Sequence, residues 1–207
     1  MSKKQKHIFN TNEISEDEMY KLLIGSVIPR PIAWVSSKSK DGILNLAPFS
    51  LFTVASRNPP TLLISIGPGV NERIGSIKDT LTNIREVKEY IINMVPEQLG
   101  EAMYRSSASV EPEKNEFELA EVTAQMGNVL NVPAVLEAPI SIELILDQII
   151  PVGGDSLVLG KVKCIQIDKA IYAGNYKIAI DKWKPLASLA GDFAGLMPSF
   201  SYEQKDT

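Results

Sequence analysis

From Ile32 onward the chain is a succession of apolar runs, most of them stopped by a turn signal within about six residues. That rhythm suits strands and is too short-lived for helices. Ile32 to Ser37 reads as a strand. Ser37 to Gly42 has turn composition and ends in Asp41-Gly42, a strong hairpin signal. Ile43 to Ala47 resumes, Phe49 to Ala55 extends further, and Asn58-Pro59-Pro60 turns the chain into the alternating run Thr61 to Ile66. Tyr90 to Val95, Ile140 to Ile150, Ser156 to Ile167 and Lys169 to Ile171 also read as strands, with a short one after Lys177. The βαβ alternation of a doubly wound sheet is missing. Gly67-Pro68-Gly69 lacks the G-x-G-x-x-G pattern, and Gly153-Gly154 lacks the lysine of a phosphate-binding loop. The expected fold class is therefore all-β with helical decorations, a barrel.

Three helices are expected. Ser15 to Ile24 starts with Ser15 as N-cap and Glu18 at the third helical position, a capping-box spacing. Pro29-Arg30-Pro31 forbids its continuation. Asp79 or Thr80 to Glu89 puts Leu81, Ile84 and Val87 on one side. Glu97 to Arg105 is a shorter helix. Residues 106–134 are polar and read as irregular. The whole span 1–207 is one domain, with 1–13 and 197–207 as peripheral tails.

Composition narrows the chemistry. His7 is the only histidine and lies in the tail, and Cys164 is the only cysteine. Metal centres built on His and Cys, and triads of the Ser/His/Asp kind, are excluded from the body of the chain. No side chain is assigned as catalytic and no metal is expected. Cys164 sits in an apolar alternating run and reads as a buried thiol. The net charge is −4, and the one basic cluster is Lys3-Lys4-Gln5-Lys6, so a nucleic-acid partner is not expected. No stretch of eighteen apolar residues is present, so no membrane partner is expected. Met1 to His7 lacks an apolar signal core, and a lone cysteine forms no internal disulfide; both point to the cytoplasm. Redox or group-transfer work would have to come from a bound cofactor.

Two segments have the residue types for holding one. Lys78-Asp79-Thr80 enters a helix. It is either a plain helix start with a surface lysine, or an anion site built from free amides, a point charge and a hydroxyl, with Asp79 as N-cap. Asn45-Leu46-Ala47-Pro48-Phe49-Ser50 is either a hairpin with a proline bulge, or a slot where backbone approaches a flat ring.

The order of motifs goes further. Pro29-Arg30-Pro31-Ile32-Ala33-Trp34-Val35-Ser36-Ser37 is followed by Gly42, Asn45 to Phe52, Ser56, Asn58-Pro59-Pro60, Lys78-Asp79-Thr80 and Asn83-Ile84. Later come Asn115 to Ala120, Leu159-Gly160-Lys161-Val162, and Lys184-Pro185-Leu186 with Gly191. Over roughly residues 8–195 this pattern resembles the flavin reductase-like family. The resemblance implies an FMN-binding split β-barrel of Greek-key type, a homodimer, and NAD(P)H or a redox protein as electron partner. It implies that Lys78, Asp79, Thr80 and Asn83 surround the flavin phosphate. It further implies that Asn45, Leu46, Ala47, Pro48 and Ser50 meet the ring, with Phe52 and Thr53 continuing its wall. The implied activity is NAD(P)H:flavin oxidoreduction; the alternative is an FMN-binding electron carrier without direct NAD(P)H turnover. Arg30 could approach the phosphate, clamp a partner's carboxylate, or be solvated. Trp34 fits a core or an interface better than a flavin stack, and Phe193 falls where relatives often place an aromatic near the ring. Two departures bear on the choice of donor: Ser156 stands where many relatives have histidine, and Ser188 where many have arginine.

Overall fold

The computed structural model describes residues 5–196 and 198–200. Part of the N-terminal basic cluster and most of the 197–207 tail therefore lie outside the described residues.

Helix α1 (Glu16–Ser26) starts as the capping box dictates: Ser15 Oγ accepts from the Glu18 amide, and the Glu18 carboxylate accepts from the Ser15 amide at 2.9 Å. Strand β1 (Arg30–Pro31) follows the helix stop, then β2 (Ala33–Lys38), β3 (Leu44–Phe49), β4 (Phe52–Arg57) and β5 (Pro60–Ile66). The Asp41-Gly42 turn joins β2 and β3, with Gly42 at φ 89°. Helix α2 (Asp79–Val87) leads to β6 (Glu89–Met94), and a 3-10 turn (Glu97–Leu99) runs into α3 (Gly100–Arg105). Residues 106–134 are less irregular than their composition suggests. They hold α4 (Glu116–Ala120), β7 (Ala124–Met126) and the start of β8 (Pro133–Val135). The long strands β9 (Ile140–Val152) and β10 (Asp155–Ile167) form a hairpin. Lys169 to Ile171 is a turn, not a strand. After Lys177 there is only an isolated Tyr172–Ile178 bridge and then α5 (Ile180–Trp183). The chain ends in the small hairpin of β11 (Leu186–Ser188) and β12 (Phe193–Gly195), which pairs with β1.

Seven strands make one antiparallel sheet in the order β3-β2-β6-β9-β10-β5-β4. Its two outer strands, β3 and β4, are separated in the chain by only Ser50 and Leu51. So short a link forces the sheet to curl until its edges stand side by side, yet no ladder joins them. The result is a barrel split along one seam. Ala33, Val35, Phe49, Ile64, Tyr90, Leu144 and Val158 fill its interior. Leu81 and Ile84 of α2 insert into the same core, contributing roughly 2 kcal/mol each and fixing how α2 plugs one end. Strand β2 is buried on both faces. Ile32, just before it, and Trp34 pack outward against Met103 of α3 and Phe117 of α4, so Trp34 is core. The indole Nε1 donates to Ser106 Oγ at 2.8 Å, and that satisfied donor removes the cost of burying it.

Candidate functional site

The outer packing layer of α3 and α4 and the first turn of α2 leave a cavity of about 130 Å³ over β3. Asn45, Ala47, Pro48, Lys78, Asp79 and Thr80 all line it. The structure thus brings together six of the eleven residues singled out above. Ser50 lies beyond Pro48 in a neighbouring cavity. Leu46 and Asn83 are buried behind the wall. Phe52 and Thr53 lie elsewhere, on a large apolar groove along β4.

Helix α2 reaches this cavity with its first turn open. The N-cap is Lys78, not Asp79, and no side chain caps the helix. Asp79 instead faces Arg73, whose two Nη atoms hold both of its carboxylate oxygens, and Arg73 Nη1 also donates to the Val110 carbonyl at 3.2 Å. The carboxylate expected to cap the helix is therefore neutralised sideways, which leaves the early amides and the positive helix end directed at the cavity. Lys78 completes the positive wall. Its ammonium lies 5.5 Å from the centroid of the Phe49 ring, and burial lowers its pKa, with Asp155 pulling the other way.

Behind the wall runs a chain of buried hydrogen bonds. Asn83 Nδ2 donates to Ser37 Oγ, and Ser37 Oγ and Thr80 Oγ1 both donate to Asn45 Oδ1, the latter at 2.8 Å. Asn45 Nδ2 donates to Glu116 Oε1 at 2.8 Å, and the Leu46 amide to Glu116 Oε2 at 3.2 Å. One Asn45 Nδ2 hydrogen, the Asn45 Oδ1 and the Thr80 proton are thus committed inside the protein. These bonds set the position of β3 against α2 and leave the second Asn45 Nδ2 hydrogen as the remaining side-chain donor of this pair. Burial raises the Glu116 carboxyl to about 7, against the Leu46 and Asn45 hydrogen bonds that lower it, and Asp79 adds to the rise.

Arg30 is turned away from the cavity. Its guanidinium donates to the carbonyls of Ile24, Val27 and Leu189 and to Ser188 Oγ, and Nε to Ser50 Oγ. It closes the C-terminal end of α1, where a positive charge is favoured. Arg73, Glu116 and the run Ser107 to Val110 are wall residues that sequence reasoning did not single out. Arg73 carries no motif; a single buried-facing glutamate in the short run Glu116-Phe117-Glu118-Leu119-Ala120 was the one available signal.

The chain resembles known proteins in sequence and in fold. The sequence profile of the flavin reductase like domain fits residues 24–184. A protein of Aquifex aeolicus is 38% identical over 185 residues, 89% of this chain and 93% of its own length. Among solved structures, nitrilotriacetate monooxygenase component B from Bacillus cereus superposes with a TM-score of 0.90 at 34% identity, covering 96% of this chain and 100% of that one. A Shewanella frigidimarina protein described as having a split barrel domain superposes at 0.80 with 17% identity, over 97% of this chain and 100% of that one, which shows the fold alone.

Proposed function

The chain belongs to the flavin reductase-like family, and on that premise we propose that it binds FMN at the α2 cavity and works as an NAD(P)H:flavin oxidoreductase. One observation carries the assignment: the uncapped first turn of α2, with Lys78 beside it, opens into a cavity of about 130 Å³. That space suits a phosphate and the start of its chain, since a cavity of roughly 150 Å³ is filled by benzene alone. The residues present fit the group: free amides and a helix N-terminus meet the dianion, and the Arg73–Asp79 pair removes the one carboxylate on that helix end. Ala47 and Pro48 then offer a small, rigid ridge for the ring, leading toward Ser50.

When bound, FMN supplies the redox chemistry. The protein's own contribution is to hold the phosphate, to orient the ring along Asn45–Ser50, and to keep one face of it open to a donor. Ser156 and Ser188 favour a second version, an FMN-binding electron carrier reduced by a protein partner, because two polar side chains that many relatives present are shorter here.

Binding is tested by flavin fluorescence quenching with FMN and with riboflavin, which lacks the phosphate. Lys78→Ala should weaken FMN about tenfold while changing riboflavin little. Equal loss for both would remove the phosphate from this cavity. Anaerobic NADH or NADPH should bleach the holoprotein near roughly 450 nm, the oxidised-flavin band. Bleaching by neither selects the carrier.

A further inference from the structure

The α2 cavity holds one carboxyl group that no cation neutralises. Glu116 lines the cavity wall and is 6% exposed. Its two oxygens meet neutral donors, Asn45 Nδ2 and the Leu46 amide, and among the described residues no ion pair reaches it. The charged groups that face it come from α2 and the loop before it. Asp79 opposes its ionisation. Arg73 faces it as well, but its guanidinium is taken up by both oxygens of Asp79 and by the Val110 carbonyl. Lys78 lines the same cavity, with the Phe49 ring beside it and Asp155 as the acid that acts on it. Strand β3 meets Glu116 with neutral groups, Asn45 and Leu46. Helix α3 sends Arg105 to the other end of α4, onto the Leu119 and Ala120 carbonyls. Glu111, Glu113, Lys114 and Glu118, in the chain around Glu116, are exposed.

A carboxylate buried without a countercharge is costly, and a negative charge beside it raises the cost again. FMN brings such a charge, since a phosphate ester is close to a dianion above roughly pH 6. Lys78 and the first amides of α2 attract that phosphate, while an ionised Glu116 on the same wall repels it. A proton on Glu116 removes the repulsion. It also turns a group that only accepts into one with an O–H donor, which an oxygen of the phosphate or of the ribityl chain can accept. With the cavity empty, burial holds this carboxyl at about 7, so both forms are populated near neutral pH and a modest push selects between them.

We propose that Glu116 is a proton site coupled to the cofactor: entry of a phosphorylated flavin draws one proton from water onto its carboxylate, so that FMN is held more tightly in mildly acidic than in alkaline solution. The coupling rests on the FMN phosphate occupying the α2 cavity. The O–H bond of the carboxyl is the one bond formed, and its proton returns to solvent when the flavin leaves. The direction follows from linkage. The free protein loses this proton at lower pH than the complex does, so affinity falls as pH rises through the free value and levels off above the bound one.

The test titrates FMN and riboflavin into the full chain between about pH 6.5 and about pH 8.5, read by flavin fluorescence. The FMN dissociation constant should rise about fivefold across that range and the riboflavin constant less than about twofold. Calorimetry at about pH 7.5 in two buffers of different ionisation enthalpy should count about half a proton taken up per FMN and close to none per riboflavin. Glu116→Gln should give a flat FMN profile and lose the uptake. Lys78 is the competing site, because its deprotonation would also weaken FMN at alkaline pH; a slope that survives in Glu116→Gln belongs to Lys78 and overturns the proposal. Should that variant not fold, infrared difference spectra of the wild type decide. A protonated-carboxyl band should grow on adding FMN and not on adding riboflavin, and its absence counts against Glu116. Proton release on binding, or equal slopes for the two flavins, would overturn the coupling too. FMN that binds with a flat profile in the wild type sinks the coupling alone, whereas FMN that binds at no pH sinks the cofactor assignment with it.

Discussion

Glu116 is a carboxyl group buried beside the place where a phosphate is proposed to bind, and its protonation feeds into stability. Its folded value of about 7 lies above the ordinary carboxylate value of 4.5. The folded state therefore holds this proton more tightly than the unfolded chain does. Its stabilising effect is full below about pH 4.5 and is lost as pH rises through about 7, by on the order of 3 kcal/mol. Urea unfolding midpoints should fall between pH 5 and pH 8 in the wild type, and Glu116→Gln should flatten that slope. A slope unchanged in the variant would assign the effect to other groups. Tyr90 makes a different kind of prediction. Its hydroxyl is buried in the barrel core with no hydrogen-bond partner, tight against Gly160, where an added Cβ would stand 2.0 Å from the Tyr90 Oη. Tyr90→Phe should raise stability by about 1 kcal/mol, because an unsatisfied buried hydroxyl is removed. Gly160→Ala should lower it by about 2 kcal/mol or more through overpacking. Denaturant titration of both checks the pair. Neither residue announces this in the sequence: Tyr90 reads simply as a strand residue, and Gly160 as a weak point in a strand. Their contact joins positions seventy residues apart and exists only once β6, β9 and β10 are side by side.

At the scale of elements, legibility follows length and local chemistry. Helix α1 was readable because its signal is local, Ser15 and Glu18 on one turn. The hairpin of β2 and β3 was readable from Asp41-Gly42. Helix α4 has five residues, and β7 and β8 have three each, too few to show a period, so their stretch looks merely polar. The start of α2 was located, but its cap was not, since the pairing of Asp79 with Arg73 depends on a loop that folds back. Arg30 shows most plainly how one residue ties elements together. It bridges the end of α1, the β3–β4 corner at Ser50 and the β11–β12 hairpin at Ser188 and Leu189. Arg30→Lys keeps the charge but loses the planar fork, and most of these carbonyls would be left unpaired. A loss of about 3 kcal/mol is expected, with early proteolytic cleavage near residues 26–30 that the wild type resists. Wild-type protease resistance in the variant would show that the guanidinium is not what holds α1.

The whole molecule leaves one face unfinished. That a barrel would form was legible from the strand rhythm, but its strand order was not, because β6 beside β2 and β10 beside β5 are pairings between distant segments. Along the far side of the sheet runs an apolar groove of about 600 Å³, lined by Phe52, Val54, Ile142, Ile165, Ile167 and Tyr176. Val54, Ile165 and Tyr176 are 66%, 52% and 96% exposed. An open edge strand with apolar side chains invites pairing with another chain, and a closed twofold contact is the commonest way to satisfy it. The expected occupant is a second copy of this chain, covering the groove that Phe52 and Thr53 line. Sedimentation at micromolar concentration should give a species of twice the 22.7 kDa chain mass. An interface of this composition should survive high salt, because its attraction is apolar rather than ionic. Val54→Asp combined with Ile165→Asp places two carboxylates in that contact and should yield folded monomers with the wild-type circular dichroism spectrum. Loss of FMN affinity in those monomers, with the α2 cavity intact, would mean that the partner completes the site. A wild type that sediments as a monomer would leave the groove to some other occupant and confine the cofactor site to one chain.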